Sequence, residues 1–162
     1  MKKRIIFNII AILACCFVLS ACGSDPICGD WKVDSYNYLY NGVTYEYTID
    51  EAKNFEANME IMENKDGKYT DKQVVEATIG ILYTNSYNLT YRFKDKNVLE
   101  IVGVGGIVEY NWTRKGESIV ATSSEVDNPL TFVFKDDNTI CLIQKTDGNV
   151  ANNQMEITLK RN

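Results

Sequence analysis

The sequence predicts one antiparallel all-β domain with a short helix, either a sandwich or a barrel. From Asp30 onward the chain is rich in Tyr, Val, Ile, Thr and Phe, which favour strands. Turn-forming residues recur about every ten positions, the rhythm of hairpin-connected strands. Segments between these turns alternate apolar and polar residues, as at Leu130, Phe132 and Phe134. Connections this short join antiparallel neighbours.

The chain begins with a basic and then apolar segment that is typical of a secretion signal. Lys2, Lys3 and Arg4 precede an apolar run over residues 5–19. A membrane-spanning helix needs roughly 20 apolar residues, so this run is too short to serve as a stop-transfer span. We therefore expect the segment to direct export.

The four residues that follow this run, Leu19–Cys22 (LSAC), resemble the lipobox of bacterial lipoproteins. The resemblance implies a signal peptide of residues 1–21, acyl chains on Cys22 and a lipidated tether over 22–28. Two or three acyl chains hold a protein at a membrane. We therefore expect a lipid-anchored protein of the bacterial cell envelope, with its folded domain, residues 29–162, outside the cytoplasm.

Beyond the expected lipid attachment, the mature chain keeps two cysteines, Cys28 and Cys141. They could form a disulfide, which persists outside the cytoplasm and which, closing so long a loop, would contribute about 4 to 5 kcal/mol. They could equally remain free thiols, with Cys141 packed beside Ile140 and Leu142. The sequence leaves both alternatives open.

One short helix is predicted after the second strand. Thr48 and Glu51 fit a capping box, and apolar residues follow at helical spacing as far as Met59. Residues 59–63 are expected to turn into strand. Residues 69–83 are rich in β-branched side chains and are predicted as strand.

Tyrosines alternate on both sides of a predicted hairpin turn. Asn41–Gly42 predicts a type I′ turn, which would place Tyr38 opposite Tyr45 and Tyr36 opposite Tyr47. We expect these tyrosines to point outward from the sheet. They would either be covered by the short helix, the favoured interpretation, or form a stacking platform for a glycan or a peptide.

The first strand opens with Gly29-Asp30-Trp31, which resembles the G-x-W motif of lipocalins and of lipocalin-like bacterial lipoproteins. The resemblance implies an up-and-down antiparallel barrel, here of about eight to ten strands. In that family the tryptophan closes one end of the barrel and an arginine of the last strand packs across its ring. Trp31 and Arg161 are the corresponding pair here, and such a contact contributes roughly 0.5 to 2 kcal/mol. The T-D-Y motif of the classical lipocalins is absent; Thr146–Gly148 is its nearest counterpart and is predicted as a turn.

Several chemistries are excluded or disfavoured by composition. The chain has no histidine, so histidine triads are excluded and no metal site is expected. The glycines of 103–106 precede a predicted strand rather than a helix, so they predict a turn and not a phosphate loop. The acidic runs 136–138 and 147–149 lack the ligand spacing of a calcium loop and are predicted as turns. The formal net charge of -5 and the absence of a basic patch disfavour nucleic acid as a partner.

The leading hypothesis is a monomeric, lipid-anchored protein that binds a small apolar or amphipathic ligand inside its barrel. Residues expected to line the cavity are Val33, Leu39, Leu89, Phe132 and Ile157. The alternative is a non-enzymatic surface interaction or inhibitor protein with a filled barrel, binding a protein or glycan through its loops or tyrosine face. Neither hypothesis requires a cofactor, and no catalytic residue is predicted.

Overall fold

The computed structural model describes residues 25–145 and 153–162. The predicted signal peptide, the predicted lipid attachment at Cys22 and the predicted turn at 146–149 lie outside these residues. Among the described residues nine strands form one antiparallel sheet: β1 (Gly29–Tyr40), β2 (Val43–Thr48), β3 (Thr90–Lys94), β4 (Val98–Gly103), β5 (Gly106–Lys115), β6 (Ser118–Thr122), β7 (Leu130–Asp136), β8 (Thr139–Lys145) and β9 (Gln154–Arg161). Three helices lie between β2 and β3: α1 (Ile49–Ala52), α2 (Met59–Glu63) and α3 (Asp71–Ser86).

Eight of the strands close into a barrel. The strand order is β1-β3-β4-β5-β6-β7-β8-β9, and β9 pairs back onto β1. The remaining strand, β2, pairs with the second half of β1 and extends the sheet beyond the barrel. The predicted all-β antiparallel barrel is confirmed, and its up-and-down order is consistent with a lipocalin-like fold.

A bulge in β1 decides which of its side chains face inward. Val33 pairs with Leu159 but Ser35 pairs with Thr158, so Asp34 is an extra residue in β1. One extra residue moves every later side chain to the opposite face. Tyr36 and Tyr38 therefore join Trp31 on the inward face and are 0% and 4% exposed. The outward orientation predicted for these tyrosines is wrong.

The hairpin itself matches the prediction. Asn41 and Gly42 both have positive φ, 49° and 79°, as a type I′ turn requires. The cross-strand pairs Tyr38/Tyr45 and Tyr36/Tyr47 form as expected. Because Tyr36 and Tyr38 are buried, they offer no exposed stacking platform.

The prediction of a single short helix is wrong. Thr48 and Glu51 do form the expected capping box, but α1 ends at Ala52. The two other helices, α2 and α3, occupy segments that were predicted as strand. In α3, Thr70 and Gln73 form a second capping box. Its β-branched residues cost only a few tenths of a kcal/mol each in helix propensity, which burial of the helix face outweighs.

Helices α1 and α3 pack on the inward face of the β1–β2 hairpin, where it extends past the barrel. Tyr36 Oη lies 3.0 Å from Ser86 Oγ, and the rings of Tyr47 and Phe55 meet edge-on at 4.8 Å. Val75 and Ile79 of α3 are fully buried in the same core. The hairpin tyrosines are thus covered by α1 and the residues after it, as expected, and by α3 as well.

The barrel has two distinct ends. The turns after β3, β5 and β7 lie at one end, together with the start of β1 and the end of β9. We call this the closed end. The β4–β5 turn, the β6–β7 connection and the start of β3 lie at the other end, which we call the mouth.

Candidate functional site

The closed end is sealed by Trp31 and Arg161, which the structure brings together. The guanidinium carbon of Arg161 lies 4.5 Å from the centre of the Trp31 ring. Arg161 also donates hydrogen bonds to the carbonyls of Asp137 (2.7 Å), Cys28 (2.8 Å) and Pro26. The indole Nε1 of Trp31 donates to the carbonyl of Ile27 at 2.8 Å. Arg161, on the last strand, therefore holds the segment 26–28 that leads into the first strand, β1.

Aromatic rings fill the middle of the barrel. Phe132 meets Tyr91 edge-on at 6.1 Å and Phe93 at 5.3 Å, and Phe93 meets Trp112 at 5.8 Å. Edge-to-face pairs at these separations are favourable. These rings fill the closed half of the barrel with side chains.

A cavity of about 510 Å³ opens at the mouth, above this aromatic floor. Small-molecule sites have volumes of roughly 300 to 1,000 Å³. Inward-facing side chains of β3, β4, β5, β7 and β8 supply most of the wall, and Leu89 and the β4–β5 turn form the rim. The lining residues are Leu89, Tyr91, Ile101, Gly103, Gly105, Gly106, Ile107, Val108, Tyr110, Leu130, Leu142 and Gln144.

The described lining of this cavity contains polar groups but no charged one. Tyr91 and Tyr110 are 3% and 6% exposed. Burial raises the pKa of Tyr91 strongly, and the neighbouring Tyr36 and Tyr110 raise it further. Burial also raises the pKa of Tyr110. Both hydroxyls therefore stay protonated and can donate a hydrogen bond at any physiological pH.

Neither of these hydroxyls has a hydrogen-bond partner among the described residues. Of the side-chain polar atoms described, only Trp112 Nε1 is both fully buried and unpartnered. The hydroxyls of Tyr91 and Tyr110 are consequently not sealed away but reach the space of the cavity. A ligand carrying a neutral acceptor or donor could bind both.

The five residues predicted to line the cavity fall in different places. Leu89 lies on the rim, and Phe132 forms part of the aromatic floor. Val33 and Ile157 are buried in the barrel core, outside the described lining.

The prediction that Leu39 lines the cavity is wrong, because the bulge at Asp34 turns its side chain to the outer face of the barrel. There it lines a shallow outer groove with Asn37, Thr44, Glu46, Gln154 and Glu156.

Tyr91 and Tyr110 were missed by the sequence prediction. A signal for them was available, because Tyr91 alternates with Phe93, and Tyr110 with Trp112, on one face of each strand.

The two cysteines of the described chain are free thiols. Burial and the carboxylate of Asp95 raise the pKa of Cys28. Burial raises the pKa of Cys141, whose Sγ lies 3.9 Å from Thr158 Oγ1. Of the two alternatives left open by the sequence, the structure holds the free thiols. A raised pKa keeps both in the less reactive protonated form.

Glu100, the most buried carboxylate among the described residues, belongs to an ion-pair network on the outer face of the barrel. Glu100 is 6% exposed and contacts Lys94 and Arg92, the latter at 3.7 Å. Arg92 also donates hydrogen bonds to both carboxylate oxygens of Asp30, at 2.8 and 3.1 Å. This pairing lowers the pKa of Asp30. Each of these carboxylates is held by a cation, which suits a structural role.

The two tryptophans allow a matched test of the closed end. Trp31→Phe removes a hydrogen bond and the indole beneath Arg161, whereas Trp112→Phe removes an indole N–H without a described partner. Stranding the Ile27 carbonyl costs roughly 1 to 3 kcal/mol. We expect Trp31→Phe to lower the free energy of unfolding by about 1.5 kcal/mol more than Trp112→Phe does. Urea denaturation would measure both, and equal losses would contradict the assigned role of Trp31.

Comparisons with family models, with curated proteins and with solved structures found no match to this chain. Within the described ranges, no helix is long and apolar enough to cross a membrane. The same residues contain no group of three or more acidic or cysteine side chains arranged to hold a metal ion.

Proposed function

We propose that this protein is a lipid-anchored envelope lipoprotein whose barrel mouth binds a small, uncharged amphipathic molecule. The observation that carries the proposal is the cavity at the mouth, with its apolar wall and the two tyrosine hydroxyls that find no hydrogen-bond partner among residues 25–145 and 153–162. The function is binding without catalysis, and it uses no cofactor. The lipobox resemblance supports the anchoring.

The lining restricts the chemistry of the ligand. Moving an ionised group from water into an apolar site without a counter-charge costs several kcal/mol or more. The described lining offers no counter-charge, so the bound part of the ligand is neutral. The wall, with Ile101, Val108 and Leu142 among its residues, favours an apolar ring or chain. Tyr91 and Tyr110 favour a neutral hydrogen-bonding group beside it.

A second candidate function is supported by the exposed tip of the β4–β5 turn. Val104 is 94% exposed and Ile107 is 57% exposed. Apolar side chains at a loop tip can anchor a protein partner. In this case the cavity would be an incidental feature beneath an interaction surface, and the protein would be a non-enzymatic binding or inhibitor protein.

Binding of N-phenyl-1-naphthylamine, an uncharged fluorescent amphipath, tests the cavity. Residues 25–162 hold every described element of the fold and would be used without the lipid anchor. Val108→Trp would fill the cavity, because Val108 points into it. We expect one molecule of dye to bind per chain, and Val108→Trp to weaken binding at least about tenfold, which is about 1.4 kcal/mol.

Val120→Trp is the matched control. Val120 is 37% exposed and lies on the outer face of β6, where it alternates with buried Ile119 and Ala121. A tryptophan there adds the same bulk outside the barrel, so dye affinity should stay within about twofold. If native protein and both variants bind the dye alike, or none binds it, the cavity is not a ligand site and the turn at Val104 becomes the leading candidate.

A further inference from the structure

The segment that leads into the barrel is fixed at the closed end. Asp25 Oδ1 accepts a hydrogen bond from Arg114 Nη1 at 2.5 Å, at the end of β5. The carbonyl of Pro26 accepts one from Arg161, and Ile27 is fully buried, with its carbonyl accepting a hydrogen bond from the Trp31 indole. The chain therefore enters the domain at the closed end, and the contacts of residues 25–28 hold it there.

The cavity opens at the opposite end. Its rim residues Leu89 and Gly103 lie at the start of β3 and the end of β4. β5 runs ten residues from this rim to the closed end. At about 3.3 Å per residue and a tilt of roughly 40°, the rim stands about 25 Å from the closed end.

The expected lipid attachment is close to the closed end along the chain. Cys22 precedes Asp25 by only three residues. An extended chain spans at most about 3.6 Å per residue, so the attachment point lies within about 11 Å of Asp25. With the barrel upright and its mouth facing the membrane, Asp25 would stand about 25 Å from the surface, and this reach cannot span that distance while Asp25 stays bound to Arg114.

We propose that the mouth opens away from the membrane that anchors the protein, and that the ligand enters from the aqueous phase rather than from the lipids around the anchor. This inference rests on the proposed function, because it requires acylation of Cys22. It makes the bound molecule a water-borne neutral amphipath, such as a dispersed solute or one delivered by a soluble carrier. The exposed Val104 tip then faces that aqueous phase.

Distance-dependent quenching in liposomes tests the orientation with the full lipidated protein. A fluorescent maleimide would be attached to Val104→Cys at the rim or to Lys96→Cys in the exposed turn at the closed end. Cys141 is buried and stays in place, whereas Cys28 is partly exposed and is replaced by alanine in both labelled proteins. Protein without an added cysteine serves as the labelling blank.

With nitroxide-labelled lipid headgroups, we expect strong quenching at position 96 and at least fivefold less at position 104. Quenching at position 104 that equals or exceeds that at position 96 would overturn the orientation. Flotation of the protein with liposomes, and its loss in Cys22→Ser, distinguishes the two levels of the proposal. If the mass of the protein shows no acyl chains and the protein does not float with liposomes, the proposed lipid anchor is itself wrong. Protein that floats with a quenched rim overturns the orientation alone.

Discussion

Gly29→Ala is expected to lower the free energy of unfolding by about 4 kcal/mol. Gly29 has a φ of +142°, a conformation that costs a residue with a side chain roughly 1 to 3 kcal/mol. A Cβ at this position would also lie 2.6 Å from Arg161 Nη1. Nη1 is the end of a flexible side chain, but it donates a hydrogen bond to the Cys28 carbonyl, and the guanidinium packs on Trp31 in a contact worth roughly 0.5 to 2 kcal/mol. Moving it aside weakens both interactions.

Gly116→Ala is the control that separates strain from contact. Gly116 also has a positive φ, +64°, but a Cβ there meets no atom within 4 Å. We expect it to lose only about 1 kcal/mol, the cost of a left-handed conformation. Urea denaturation of both variants would give the comparison. If Gly29→Ala lowers the free energy of unfolding no more than Gly116→Ala does, the close packing of Arg161 against Gly29 contributes nothing to stability.

This geometry gives a physical reason for the spacing of glycine and tryptophan in Gly29-x-Trp31. The glycine leaves room for the guanidinium, and the tryptophan two residues later presents its ring on the same face of β1. The pair of Trp31 and Arg161 could be predicted from the sequence because the motif and the alternation of β9 both survive in the fold. The alternation of apolar residues along β9 was enough to place Arg161 on the same side of the barrel wall as Trp31, although the two residues are far apart in the sequence.

The side-chain directions in β1 could not be predicted in the same way. The insertion of Asp34 reverses the alternation after Val33, and nothing in the local sequence marks a bulge there. Tyr36 and Tyr38 therefore move into the core and Leu39 moves out of it. One extra residue thus explains both the error in the tyrosine surface and the error in the predicted cavity lining.

The α3 segment was assigned wrongly for a different reason. Its β-branched residues favour strand locally, but propensity differences are a few tenths of a kcal/mol per residue. Tertiary burial of Val75 and Ile79 against the hairpin decides the conformation. The capping box of Thr70 and Gln73 was a local signal for the helix, and it had the same pattern as the one correctly identified at Thr48.

Gly80→Ala is expected to lower the free energy of unfolding by about 3 kcal/mol, against the usual trend for a helix. In an exposed helix interior this substitution gains about 1 kcal/mol. At Gly80 a Cβ would lie 2.9 Å from backbone atoms of Phe55 and Glu56. Backbone cannot swing aside as a flexible side chain can, and overpacking of this kind costs roughly 1 to 3 kcal/mol. The upper end applies because α3 also holds Tyr36 through Ser86.

Asn85→Ala in the same helix is the matched control, with the opposite expected sign. Asn85 is exposed, so its replacement should only improve helix propensity, by about 0.5 kcal/mol. Thermal and urea unfolding would measure both variants, and near-ultraviolet circular dichroism would report displaced tyrosines in Gly80→Ala. Stabilisation by both alanines would mean that α3 does not pack closely on the 55–56 segment. Opposite signs would show that this contact, rather than helix propensity, sets how α3 closes over the hairpin tyrosines beside the mouth.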